Sequence, residues 1–97
     1  MRNYLVTFHS PDDHGIEERL SVILYKNYRV ITEDRSAGLF FITDDSHSDA
    51  SHILDHLTGS LDEESVFTLY VFEIRGSWDA AADEEVVQAL ESKIRRN

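Results

Sequence analysis

The feature that most limits how this chain can fold is the order in which its hydrophobic periods change. Segments with alternating apolar residues, typical of half-buried strands, exchange with segments whose apolar residues recur every three or four positions, typical of amphipathic helices. The order is strand, helix, strand, strand, helix, strand, and a last helix. It predicts the α+β class and a ferredoxin-like βαββαβ fold: a four-stranded antiparallel sheet with two helices on one face, plus a C-terminal helix.

The predicted strands differ in how strongly their residues favour extended structure. Residues 3–9 alternate clearly, with Tyr4, Val6 and Phe8 on one face. Residues 28–45 are typical of a hairpin that turns at 34–38, and residues 65–76 form a long strand rich in β-branched and aromatic residues. With the ferredoxin-like arrangement, the expected strand order is 4-1-3-2.

The helices carry the apolar residues that should cover this sheet. The first is expected to end near Asn27, the second to lie within 46–61 with Gly59 as its C-terminal stop, and the third to lie within 79–97. The chain is predicted to be one domain over 1–97, with a core at 1–76 and a helical extension at 77–97. Six residues are expected to be buried between helices and sheet: Ile16, Leu20, Leu24, Ile53, Leu54 and Leu57. Four are expected to face inward from the third helix: Val86, Val87, Leu90 and Ile94.

The junction between the first strand and first helix, HSPDDHG at 9–15, has two interpretations. In the first, Ser10 is the helix N-cap, Pro11 takes the first helical position, and Asp13 completes a capping box. Gly15 leaves open a helix that starts later. This interpretation needs no ligand, and we favour it.

The second interpretation is a metal site. His9, Asp12 and Asp13, together with His14, carry imidazole and carboxylate groups that bind divalent cations. Nothing in a loop forces consecutive side chains to converge, however. A further set with ligand chemistry lies on the second helix, where it is expected to face solvent: Asp49, His52 and His56. We therefore predict no cofactor, no metal and no catalytic residue.

The charge balance restricts the function further. Nineteen acidic residues against nine basic ones leave a net charge of −10. A field of that sign repels phosphate backbones and attracts basic surfaces, so we expect no direct nucleic-acid binding. The absence of cysteine excludes disulfides and thiolate sites. No apolar run approaches the roughly 20 residues that span a bilayer, so we expect a cytoplasmic protein without a membrane partner.

Two stretches carry a resemblance to a known family. The strand YLVTF at 4–8 and the segment LYVFEIRGSW at 69–78, which ends in Gly76-Ser77-Trp78, resemble the small Cas2-like proteins, including VapD-type and SinR-like relatives. The similarity covers about residues 3–78 and implies the ferredoxin-like fold. In that family an aspartate, the proposed metal ligand of nuclease members, follows the aromatic residue that ends the first strand. Here His9 follows Phe8, which implies that nuclease chemistry has been lost.

The acidic residues recur in pairs and triplets at loops and helix starts. Paired carboxylates on a compact surface can imitate a phosphate backbone and occupy a basic groove. We therefore favour a non-enzymatic acidic protein that binds a basic, nucleic-acid-binding protein, as the anti-CRISPR and anti-restriction inhibitors do. The second helix separates the residues expected to bind this partner, which would form two edges of one face: Asp44, Asp45, Asp62, Glu63 and Glu64.

Two other functions remain open at this point. One is a Cas2-like metal-dependent nuclease. The other is a dimeric module, of the kind associated with CRISPR or toxin–antitoxin systems, whose copies form a homodimer through an edge strand. Trp78 is expected to pack against the C-terminal helix.

Overall fold

A computed structural model describes residues 2–11, 15–45, 49–61, 66–75 and 84–94. A single 3-10 turn, Arg35–Ala37, lies between the second and third strands. The helices and strands follow in the predicted order: β1 (Arg2–His9), α1 (Ile16–Asn27), β2 (Arg29–Asp34), β3 (Leu39–Asp44), α2 (Ala50–Ser60), β4 (Thr68–Glu73) and α3 (Glu84–Lys93).

The four strands form one antiparallel sheet in the order β4-β1-β3-β2. This is the predicted neighbour order, 4-1-3-2. β1 lies in the centre, where Val6 is opposite Phe40 of β3 on one side and opposite Val71 of β4 on the other. β4 and β2 are therefore the outer strands. β4 is shorter than the predicted 65–76, since regular pairing ends at Glu73.

One face of the sheet packs against α1 and α2 and forms the main core. Five of the six residues expected there are buried, and the exception is Leu54, which is only partly buried. The buried stripe of α2 runs through Ile53 and Leu57, and Leu54 lies about 100° around the helix from Ile53, at the border of that stripe. The main core comprises Tyr4, Val6, Phe8, Ile16, Leu20, Leu24, Phe40, Ile42, Ile53, Leu57 and Leu61.

The other face of the sheet is partly covered by α3. The register of β2 against β3 shifts between Val30 and Thr32, so Ile31 is the extra residue of a β-bulge. Ile31 and Phe41 pack against α3 on this second face, whereas Val30 packs against the main core. Val87, expected inward, is only partly buried. The buried residues that α3 contributes to this smaller cluster are Val86, Leu90 and Ile94.

The β2–β3 hairpin turns at a glycine that no other residue can replace easily. Gly38 has φ 68°, in the left-handed region. Its carbonyl oxygen accepts a hydrogen bond of 2.7 Å from the backbone N–H of Phe8. A Cβ at this position would lie 2.1 Å from the Phe8 carbonyl oxygen. The turn and the end of β1 are thus held together by backbone alone.

Two local predictions about helix ends are wrong. α1 begins at Ile16, and its N-cap residue is Gly15, which has φ 83° and no side chain to accept a capping hydrogen bond. Ser10 is too early to be its cap, and its hydroxyl instead donates to the Val66 carbonyl oxygen. α2 does not end at Gly59 but continues to Ser60. Gly59 is not among the glycines with positive φ, so its backbone does not adopt the left-handed conformation of a glycine stop.

Candidate functional site

The first predicted acidic pair lies where β3 ends. Asp44 is the last residue of β3 and is opposite Arg2 of β1. Asp44 and the exposed Asp45 line a shallow hollow together with Lys26 and Arg29. Two cations therefore offset part of the charge of this pair on its side toward α1 and β2.

The second predicted cluster, Asp62, Glu63 and Glu64, lies outside the described residues. The residues that flank it can be placed, because Val66 accepts the Ser10 hydrogen bond at the end of β1 where His9 is opposite Thr68. Asp44 is at the other end of β1. The eight residues of β1 span about 24 Å, so the flanks of the two clusters lie at opposite ends of the sheet. α2 connects these two ends.

The N-terminus of α2 is capped by an acidic side chain that the sequence analysis considered only as a metal ligand. Oδ1 of Asp49 accepts hydrogen bonds of 2.9 Å from the backbone N–H of His52 and from its Nδ1. The backbone hydrogen bond, followed by the one from the His52 ring, holds the pKa of Asp49 below its usual value. Asp49 is thus a carboxylate at the helix end whose dipole favours negative charge.

The second histidine of α2 anchors the helix to the sheet. His56 Nδ1 and the Tyr28 hydroxyl are joined by a hydrogen bond of 2.8 Å. Burial raises the pKa of Tyr28, and the charge of Asp44 and the neighbouring Tyr4 raise it further. The residues Asp49, His52 and His56 therefore each have a structural role here, and the described part of the chain contains no group of three metal-ligating side chains.

The alternative metal interpretation concerns residues at the end of β1 that are only partly described. His9 is exposed and lines a hollow with Glu17 and Arg35. Its proposed co-ligands Asp12 and Asp13 lie outside the described residues, as do His14 and Trp78. The metal interpretation of this junction therefore stays an untested alternative.

Two carboxylates that were not among the residues expected to bind the partner lie in the sequence between the predicted clusters. Asp49 and Asp55 are both exposed on α2. The signal that could have found them is the absence of any lysine or arginine between Arg35 and Arg75, a stretch that contains eight acidic residues. Four of these eight are described and lie on or next to α2, and we call them the α2 acidic surface: Asp44, Asp45, Asp49 and Asp55.

Three carboxylates of α1 and β2 lie close to one arginine. Arg35 lies within 3.7 Å of Glu17, 3.0 Å of Glu18 and 3.3 Å of Glu33. The Glu18 hydrogen bond holds the pKa of Arg35 above its usual value. Arg35 also donates to the buried Ser21 hydroxyl. Arg35 therefore offsets one of the three negative charges that Glu17, Glu18 and Glu33 bring together.

Glu73 at the end of β4 has two arginine partners. It pairs with Arg2 at 3.7 Å, and Arg75 donates to its other carboxylate oxygen. Three of the nine basic residues are therefore engaged with carboxylates away from α2.

Comparisons with known proteins give the site no precedent: no family model, curated protein or solved structure matches the chain. Among the helices that the structure describes, none is long and apolar enough to cross a membrane.

Proposed function

We propose that this is a non-enzymatic acidic protein that binds a basic surface of a nucleic-acid-binding protein and competes there with the nucleic acid. The observation that carries the proposal is the α2 acidic surface, which lies in a stretch of chain without lysine or arginine. Asp49, the N-cap of α2, and Asp55 lie six residues apart, which is about 9 Å along the helix axis. Asp62, Glu63 and Glu64 follow α2 in the sequence, and we propose that they bind the same partner.

We further propose that the fold is ferredoxin-like. The order β4-β1-β3-β2 supports this, because each of α1 and α2 connects two strands that have one other strand between them. Both helices pack on the same face of the sheet, which leaves the α2 acidic surface on the outside of that helical layer.

A basic groove is a suitable partner for such a surface. Salt screens the attraction between carboxylates and the lysines and arginines of such a groove, so binding should weaken as salt rises. Exposed charges are screened beyond about 8 to 10 Å near physiological ionic strength. Charges at the rim of an interface mainly accelerate association, and we expect Asp45 and Asp55 to act in this way.

The test is capture of partners on the immobilised full chain, followed by competition with duplex DNA or RNA. We expect captured basic proteins to be displaced by nucleic acid and to elute as salt is raised from about 0.15 M toward 1 M, where the Debye length falls to about 3 Å. The double variant Asp45→Lys/Asp55→Lys should bind at least tenfold more weakly. The control is Glu85→Lys, which also replaces an exposed carboxylate with a lysine but lies on α3, at the other face of the sheet. It should bind like the wild type.

These substitutions should leave the fold intact, because changes at exposed positions typically alter stability by no more than about 0.5 kcal/mol. Binding that is insensitive to salt and to the double variant, and that persists in excess nucleic acid, would contradict the proposed function.

The enzyme alternative has its own test. A Cas2-like nuclease would cleave DNA or RNA with Mg²⁺ or Mn²⁺, and Asp12→Ala or Asp13→Ala would abolish the cleavage. We expect no cleavage, because His9 stands where the family resemblance requires an acidic ligand and a net charge of −10 repels the substrate.

A further inference from the structure

β4 has one edge that pairs with no other strand in the described part of the chain. Its other edge pairs with β1, and the backbone N–H of Ile74 donates to the Asn3 carbonyl oxygen at 2.8 Å. Hydrogen-bonded and non-hydrogen-bonded pairs alternate along an antiparallel ladder. Every second residue before Ile74, namely Phe72 and Tyr70, therefore also directs its backbone N–H and C=O toward β1. The residues between them direct theirs outward: Leu69, Val71 and Glu73.

The side chains of β4 divide between two environments. Leu69 and Val71 pack against the main core. Tyr70 and Phe72 lie on the second face, and each leaves 55% of its surface exposed. Their rings stack with centroids 6.0 Å apart and planes inclined by 18°. An aromatic pair this exposed beside an open strand edge is typical of a surface that another strand covers.

We propose that β4 pairs with β4 of a second copy of the chain, antiparallel, about a twofold axis at Val71. Val71 then lies opposite Val71 of the second copy, and Leu69 lies opposite Glu73, so three outward-directed residues per copy form six main-chain hydrogen bonds. Tyr70 lies opposite Phe72 of the second copy in non-hydrogen-bonded pairs, where side chains are closest.

The backbone restricts the choice of register. A shift of one residue in the pairing would place outward-directed groups opposite groups already bonded to β1. A twofold axis at Tyr70 would also pair the outward-directed N–H and C=O groups. It would place Phe72 opposite Thr68, however, so the Phe72 rings would have no aromatic partner across the interface. The axis at Val71 is the arrangement that pairs all four rings across the interface.

Charge favours a second copy over a basic partner at this edge. β4 carries one charged residue, Glu73, and the arginines Arg2 and Arg75 both engage it. Two chains of net charge −10 can therefore approach along β4 without bringing uncompensated carboxylates of this strand together. Among the described residues of β4, a basic surface would find one carboxylate, Glu73, which two arginines already engage.

The size of the edge indicates a weak dimer. An aromatic side chain buries about 150–250 Å² in full, so rings that are 55% exposed offer on the order of 100 Å² each. Four rings give about 400 Å², and with two strand edges of six residues, each about 20 Å long, the total stays below the roughly 1,200 Å² at which stable interfaces begin. We expect a dissociation constant on the order of micromolar.

The first experiment is sedimentation equilibrium of the full chain from about 1 to 500 μM. We expect a monomer–dimer equilibrium that Phe72→Lys weakens at least tenfold, because lysine replaces an aromatic ring in two cross-strand pairs. Val22→Lys is the matched control: Val22 is 59% exposed on α1 and should leave the dissociation constant unchanged. Far-UV circular dichroism of each variant checks that it is folded.

The second experiment tests the register and uses the absence of cysteine from the chain. Val71→Cys should form an interchain disulfide under mild oxidation, since Cα atoms of a bonded pair are about 5.5 Å apart, within the range that a disulfide spans. Val22→Cys, on α1, should cross-link much more slowly.

Three outcomes would overturn the proposal: a wild-type chain that is monomeric throughout, a dimer that tolerates Phe72→Lys, or equal cross-linking at the two cysteines. A monomer that stacks single-stranded oligonucleotides on Tyr70 and Phe72 would also overturn it. These experiments use no partner protein, so their failure is separate from failure of the proposed function.

Discussion

The two faces of the sheet are built from alternate residues of the same strands, yet they differ in how completely they are covered. On one face Phe40 is fully buried beneath α1 and α2. On the other, the adjacent Phe41 is only partly buried beside α3, and Phe72 is more than half exposed. Strand alternation alone does not decide which apolar residues form a core; the helix that covers a face does.

The comparison also separates two kinds of apolar residue. The main core unites buried residues from the two central strands, β1 and β3, and from two helices, and losing a side chain there leaves a cavity that its neighbours fill only in part. The α3 cluster has three buried residues, and its partners lie near the surface. We expect the first face to determine whether the chain folds, and the second to determine what it contacts.

The largest expected effect comes from exchanging one ring on each face. Phe40→Ala should lower the free energy of unfolding by about 4 kcal/mol, the usual cost of removing a buried phenylalanine. Phe41→Ala should cost about 1 to 2 kcal/mol, because its ring is partly exposed already and α3 can settle into the space. Urea unfolding of both variants measures the two free energies. Equal losses would show that the two faces of the sheet contribute equally to stability.

The next largest effect is expected at Gly38, in the turn that joins β2 to β3. Gly38→Ala should cost about 3 kcal/mol, since it combines a left-handed backbone with a Cβ that collides with the Phe8 carbonyl oxygen. Gly59→Ala is the control: it lies inside α2 with no atom near its added Cβ, and should stabilise by about 0.5 to 1 kcal/mol. Thermal and urea unfolding measure both, and a stable Gly38→Ala protein would show that the turn is not strained.

The smallest effect concerns the hydrogen bond between α2 and the start of β2. Because burial raises the pKa of Tyr28 above 10.0 in the folded chain, the unfolded chain ionises first. This contribution to stability is complete below pH 10 and is lost as the pH rises through the folded value. Tyr28→Phe should remove that alkaline loss, and should cost about 1 kcal/mol at pH 7 by deleting the His56 hydrogen bond.

Urea unfolding at pH 7, 10 and 11 tests this prediction. Tyr25 also has a raised pKa, chiefly from burial, so Tyr25→Phe is the companion variant that measures the share of the second tyrosine. If the wild type and Tyr28→Phe lost stability in parallel between pH 10 and 11, the buried hydroxyl would not be the cause.

The sequence predicts the main face well, because the period-2 pattern of β1 and the helical spacing of α1 both point at the same core. The second face could not be predicted. Val86, Leu90 and Ile94 form an apolar stripe, but a stripe does not say which surface it covers. The bulge is also invisible in sequence, since Val30 and Ile31 are equally apolar and pairing with β3 decides where each points.

The same limits apply to the candidate site. The acidic pair at Asp44 and Asp45 was found from the sequence, whereas the cations beside it came only from the structure. Ser10 was wrongly predicted to cap α1 because its motif matches a capping box, while the backbone at Gly15 sets the real start. Asp49 was considered as a ligand, and its capping role depends on a ring orientation that spacing cannot show.

The bulge at Ile31 has a consequence for the size of any assembly. A sheet whose two outer strands were both open could add copies head to tail without end and form a fibre. Here β2 is bulged after Val30 and α3 packs against it, so the outer strands are not equivalent. With β4 as the joining strand on both copies, growth stops once two sheets have met, and the product is a closed pair rather than a polymer.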